Sequence, residues 1–222
     1  LKRAWLASGG EVVACDLAGA PWTDVDTPQD LRLSEEMVLG WAASGNDGPV
    51  SRHINRRISR RITRRLLDAP LSPDQVSLLS FALAALGAGL LAAGRLRLGG
   101  ALVQLASIVD GCDGELARAR LESSPRGAVF DATLDRWADA LIISGLALGA
   151  GTRLAAAAGY PALAGALLVS YTRARWEAAL GRMPSRFTGL GATRDVRLAV
   201  LALGGLLGAP GAALLATGAL GN

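Results

Sequence analysis

Histidine and cysteine are almost missing from this chain. His53 is the single histidine and lies in an arginine-rich run. That excludes a histidine general base and any multi-histidine metal centre. The two cysteines, Cys15 and Cys112, lie far apart and form no CxxC pair. They support neither a disulfide framework nor a zinc site, and Cys112 reads as a small apolar packing residue. Aromatics make up only 5% of the residues, while glycine reaches 28 positions. High glycine would suit disorder, but 51% of the residues are hydrophobic, which argues against it. Small residues let helix backbones approach closely in lipid, and they also permit a homodimer. The first residue is not methionine and no signal peptide follows, so the sequence reads as part of something longer. Its length suits one domain, or one domain and a fragment.

Two long stretches carry no charge at all. Val76 to Gly94 is nineteen residues, and Leu154 to Thr172 is another nineteen. Each can cross a hydrocarbon core of roughly 30 Å as a helix of about 20 residues. The expected fold is therefore all-α and integral to a membrane. Six transmembrane helices are expected near 75–94, 98–121, 127–150, 154–180, 195–207 and from Pro210 onward, the last one short. Sixteen arginines fall on one side of this topology. Only Arg95, Arg97 and Arg153 fall on the other. The positive-inside rule then predicts a multi-pass protein of the cell (inner) membrane with its N-terminal side in the cytoplasm.

Residues 1–47 read as soluble. Residues 10–16 suggest a short strand and turn. In the run from Trp22 to Leu31, Thr27 suits an N-cap, Pro28 the first helical position, and Asp30 completes a capping box. Residues 45–49 form a linker, with the membrane domain expected over 48–222. Between Ser51 and Leu67, Ile54, Ile58, Ile62 and Leu66 recur every four residues, and seven arginines fill the rest. This pattern predicts an amphipathic helix on the cytoplasmic membrane surface, in contact with membrane lipids. Nucleic-acid binding is the rival reading of an arginine run, and the nearby membrane span argues against it.

The acidic residues carry the chemistry. Asp110 and Asp113 are three apart, Asp131 and Asp135 four apart, so each pair shares one helix face. A short turn between the helices would let the two faces meet. Such a cluster needs neutralising, and carboxylate oxygens suit hard divalent cations. An ion path, or structural pairing with Arg118, Arg120 and Arg136, are the alternatives. Neither calls for Gly114 and Gly127, where a ligand could approach the backbone closely.

The full string from Asp110 to Asp135, D-x2-D-G-x2-A-R-x8-G-x3-D-x3-D, resembles the signature of the CDP-alcohol phosphotransferase family at every fixed position. The resemblance covers residues 50–222. It implies metal binding by Asp110, Asp113, Asp131 and Asp135, with two Mg²⁺ or Mn²⁺ ions and Asp135 as the catalytic general base. It implies a nucleotide site around Gly114, Ala117, Arg118 and Gly127. Pro73 and Gln75 resemble the family's PNxVT stretch beside the nucleotide, though an N-cap at Ser72 explains that stretch as well. The implied reaction moves a phospho-alcohol group from a CDP-alcohol donor to an alcohol, releasing CMP.

The stretches around Arg173 and Arg175, and around Arg194 and Arg197, resemble members that take inositol 1-phosphate as acceptor. Arginine suits that phosphate through its bidentate fork. The segment containing Asp24 and Asp26 resembles the C-terminal end of nucleotidyltransferases, although a capping turn accounts for its carboxylates. Together with the arginine-rich helix, it resembles fusions of a cytidylyltransferase to a di-myo-inositol-phosphate-phosphate synthase. That points to CDP-inositol as donor. A CDP-lipid donor, as in phosphatidylinositol-phosphate synthases, is the alternative.

Overall fold

The computed structural model describes residues 7–9, 22–42, 47–181 and 193–221. The expected strand at 10–16, Cys15, Arg182 and Arg186 lie outside them. Among the described residues all regular structure is helical. The chain divides into two compact units, residues 1–38 and 39–222.

Helix α1 (Pro28–Trp41) starts in the first unit, where the sequence predicts. Thr27 N and Asp30 Oδ2 are 2.9 Å apart, and Asp30 N and Thr27 Oγ1 are 3.2 Å apart, which is a reciprocal capping box. The Thr27 hydroxyl holds the Asp30 carboxyl below its usual range.

The second unit is a helical bundle. A π-helical stretch, Ser51–Asn55, runs into α2 (Arg56–Leu66). Then come α3 (Pro73–Ala92), α4 (Leu96–Ala119), α5 (Pro125–Gly149), α6 (Arg153–Leu180), α7 (Arg194–Leu206) and α8 (Pro210–Gly221). Helix α3 packs on both α4 and α5, α4 on α7, and α6 on α8, while α4 and α5 touch each other little. The core that joins them is aliphatic, with Leu91, Val103, Ile142, Ile143, Leu146, Leu201 and Leu214 all fully or nearly fully buried. Small residues set the spacing. A Cβ at Gly145 would overlap the Ala88 carbonyl of α3, so α3 and α5 approach with backbone in contact.

Of the six spans expected, two helices among the described residues are both long and apolar enough to cross a membrane, α3 and α6. Helices α4 and α5 have the length, at 24 and 25 residues, but carry the acids and arginines of the site. Helices α7 and α8, at 13 and 12 residues, are shorter than the roughly 20 a perpendicular crossing needs.

Helix α2 adds a buried polar face to the amphipathic helix expected, while Ile62 and Leu66 pack against Val76, Cys112 and Leu116. Asn55, Ser59 and Thr63, again four apart, are the buried face. Ile54 and Ile58 point outward, at 54% and 40% exposure. The physical reason lies in α4, whose Glu115 draws the hydroxyl face inward.

Candidate active site

Two capping events bring the acidic pairs together. Helix α4 ends where Leu121 takes a left-handed conformation (φ 58°), and Glu122 N bonds back to Ala117 O at 2.8 Å. Helix α5 starts at Ser124, whose hydroxyl accepts from Gly127 N at 3.0 Å, with Pro125 in the first position. The short turn returns the chain so that the C-terminal end of α4 faces the N-terminal end of α5 across α3.

Asp110, Asp131 and Asp135 then each offer an oxygen to a point where all three lie within 4.8 Å of one another. Asp113 stands beside them, nearly buried, with its carboxylate held by the Ser77 hydroxyl of α3 and by the backbone N–H of Gly114. Ser80, one turn along α3, reaches Asp110 Oδ1 at 3.4 Å. The structure thus collects three of the four aspartates and sets the fourth at their edge. Three convergent carboxylates fit a hard divalent cation.

Positive charge already reaches the cluster. Arg194 Nη1 lies 2.7 Å from Asp110 Oδ2 and 2.8 Å from Asp135 Oδ1. Arg136 reaches Asp135 Oδ2 at 3.3 Å. Arg118 and Arg120, weighed as partners for the acids, go elsewhere. Arg118 donates to the Ala42 carbonyl. Arg120 gathers the carbonyls of Leu66, Leu67, Ala69 and Leu71 at 2.7–2.9 Å and so closes the turn after α2.

Two cavities meet at this cluster. One, about 390 Å³, is lined by Pro73, Ser77, Gly114, Ala117, Arg118 and Gly127, among others. Five of the six residues expected around the nucleotide therefore share one wall. The sixth, Gln75, is outside the lining, and its side chain accepts from Ser72 N at 2.9 Å in a capping box. At Gly114 a Cβ would sit 3.1 Å from the Arg118 guanidinium, which folds back over that glycine. The second cavity, about 250 Å³, is lined by Asp110, Asp135, Arg56, Arg173 and Arg194. Asp113, Gly114, Arg118 and Asp131 line both.

Of the four arginines expected at an acceptor phosphate, Arg173 and Arg194 reach the second cavity. Arg175 is exposed on α6 and does not line it. Arg197 is buried and directed at Asp139, at 3.3 Å. Asp139 is the residue that the motif gave no role. It is 3% exposed and also accepts from Arg194 Nε at 3.1 Å. Its signal in the sequence was an acid four residues past Asp135, where the uncharged stretch of the helix begins. Glu115, at a variable position of the signature, was missed as well.

The family profile of CDP-alcohol phosphatidyltransferases matches residues 71–220. A bifunctional IPC transferase and DIPP synthase of Thermococcus kodakarensis is 40% identical over 166 residues, which cover 74% of this chain and 38% of that protein. The chain thus spans less than half the length of this relative. The crystal structure of Mycobacterium tuberculosis phosphatidylinositol phosphate synthase with CDP-DAG bound superposes with a TM-score of 0.60 at 27% identity, covering 74% of this chain and 88% of that one. The same enzyme with manganese and citrate superposes at 0.59 and 25% identity, over 73% and 83% of the two chains.

Proposed function

The chain belongs to the CDP-alcohol phosphatidyltransferase family, and from that premise we propose that it condenses CDP-inositol with inositol 1-phosphate, giving di-myo-inositol-phosphate phosphate and CMP. The observation that carries this reading is the meeting of two cavities at one acidic cluster, the larger lined by the signature's small residues and the other by arginines. The larger cavity takes the CDP donor, with Gly114 and Gly127 clearing room for the nucleotide and Arg118 facing its phosphates. The second takes the phosphorylated acceptor, with Arg173 and Arg194 toward its phosphate.

Asp110, Asp113, Asp131 and Asp135 would hold two divalent ions, Mg²⁺ or Mn²⁺. When bound, the ions supply charge neutralisation for the pyrophosphate and the departing CMP. Asp135 accepts the proton of the acceptor hydroxyl. That oxygen forms a bond to the β-phosphorus as the bond from phosphorus to the CMP oxygen breaks, and the electron pair leaves with CMP. No protein nucleophile is needed. Ser77 and Ser80 hold Asp113 and Asp110 in place from α3.

The bundle lies in the cell membrane, with α3 to α6 long enough to pass through it, the shorter α7 and α8 packed on α4 and α6, α2 along the cytoplasmic surface, and the site open to the cytoplasm. The two apolar helices support this. So do the outward-facing leucines of α3 and α6, such as Leu78, Leu79, Leu86 and Leu168, each near half exposed. Residues 1–47 contain a segment that resembles the C-terminal end of nucleotidyltransferases, the kind of enzyme that makes a CDP-polyol. The relatives that join IPC transferase to DIPP synthase favour this assignment.

The second reading takes a CDP-lipid as donor, and the likeness to a phosphatidylinositol phosphate synthase with CDP-DAG bound favours it. CMP release separates the readings. Purified protein should release CMP from CDP-inositol and inositol 1-phosphate with no added lipid. Activity only with CDP-diacylglycerol would assign the lipid reading. No CMP from either donor would leave the bundle as a membrane anchor.

A further inference from the structure

Arg194 lies where a metal cation would compete for ligands. Its Nη1 bridges Asp110 and Asp135 at 2.7 and 2.8 Å, and both belong to the convergent trio. Its Nε bonds instead to Asp139, at 3.1 Å, a carboxylate outside the trio. Asp139 is buried, and its second oxygen faces Arg197 at 3.3 Å. One carboxylate thus anchors two arginines that lie one turn apart on α7.

The two ends of Arg194 therefore have different attachments. Carboxylates packed this closely cannot stay charged without a counter-cation. A guanidinium and a divalent ion on the same oxygens repel each other strongly at such short range. Contact with Asp139 does not conflict with a metal in the same way. Arg194 also lines the cavity that holds Arg173.

We propose that Arg194 is the resident counter-cation of the acidic cluster: it gives up Asp110 and Asp135 when divalent ions bind, stays tethered through Asp139, and turns its freed end to the acceptor phosphate. Asp139 is then a positioning residue for Arg194. The idea rests on the metal-dependent reading of the site. It predicts that Arg194 stabilises the metal-free protein and weakens metal binding.

The test is Mn²⁺ binding followed by electron paramagnetic resonance on the purified protein in detergent, without donor or acceptor. Arg194→Gln should bind Mn²⁺ about tenfold more tightly than wild type, because the competing charge is gone. Arg194→Lys, which keeps the charge, should stay near wild type. In EDTA, Arg194→Gln should melt at a lower temperature than wild type, and saturating Mn²⁺ should restore it by more than it raises wild type. Asp139→Asn should raise KM for inositol 1-phosphate about tenfold, with a smaller change in kcat. Wild-type Mn²⁺ binding with no gain in Arg194→Gln would overturn the exchange while leaving the metal site standing. An Asp139→Asn variant with unchanged KM would overturn the tether. Absence of Mn²⁺ binding in every variant would overturn the metal reading and the exchange together.

Discussion

Glu115 is an acid held by three side chains at once. It is fully buried, and it accepts from Arg56 Nη1 at 2.7 Å, Ser59 Oγ at 2.9 Å and Thr63 Oγ1 at 2.7 Å. Arg56 also forms a bidentate pair with Asp47, at 2.6 and 2.7 Å. Burial works against the Arg56 charge, but hydrogen bonds and charge from Asp47 and Glu115 outweigh it and hold its pKa above the usual range. Glu115→Ala should therefore cost about 3–5 kcal/mol, because Arg56 loses a buried partner. Thermal unfolding in detergent checks this, with Glu122→Ala as the exposed control. At the cluster itself, Asp135→Asn should cut CMP release about 100-fold or more while leaving much nucleotide binding, as expected for loss of a general base. The aspartates were legible because spacing alone puts each pair on one face. Glu115 and Asp139 were not, since each owes its role to partners on other helices. Arg56 and Arg194 lie 59 and 55 residues away from them in the chain.

Helix boundaries followed the sequence closely where a cap was written in it. Ser72, Ser124 and Thr152 each cap a helix with the side chain. The face that α2 buries was not legible. Isoleucines every four residues predicted an outward apolar face, and Ile54 and Ile58 are exposed; the inward hydroxyl face was set instead by a charged partner on α4, Glu115. Two substitutions test the elements. Leu121 holds a left-handed position that glycine fills at less cost, so Leu121→Gly should raise stability by about 1 kcal/mol. Gly145→Ala should destabilise, since its Cβ would meet the Ala88 carbonyl, whereas Gly89→Ala, with open space around it, should be neutral or stabilising by up to about 1 kcal/mol. A shared melting temperature for both alanine variants would contradict the close approach of α3 and α5.

At the scale of the whole molecule, the all-helical bundle was legible from its uncharged stretches and its glycine and alanine content. The number of membrane crossings was less so. The functional acids and arginines sit inside α4 and α5 and remove the apolar signal that a span normally gives. The same conflict makes the site expensive to build and, on the proposed reading, would bind its chemistry to a cation. Metal dependence of CMP release is therefore the most direct test of the account. With CDP-inositol and inositol 1-phosphate, EDTA should abolish release and Mg²⁺ or Mn²⁺ should restore it, while Asp110→Asn and Asp131→Asn should stay inactive with metal present. Release that persists in EDTA, or near wild-type release from Asp131→Asn, would contradict it.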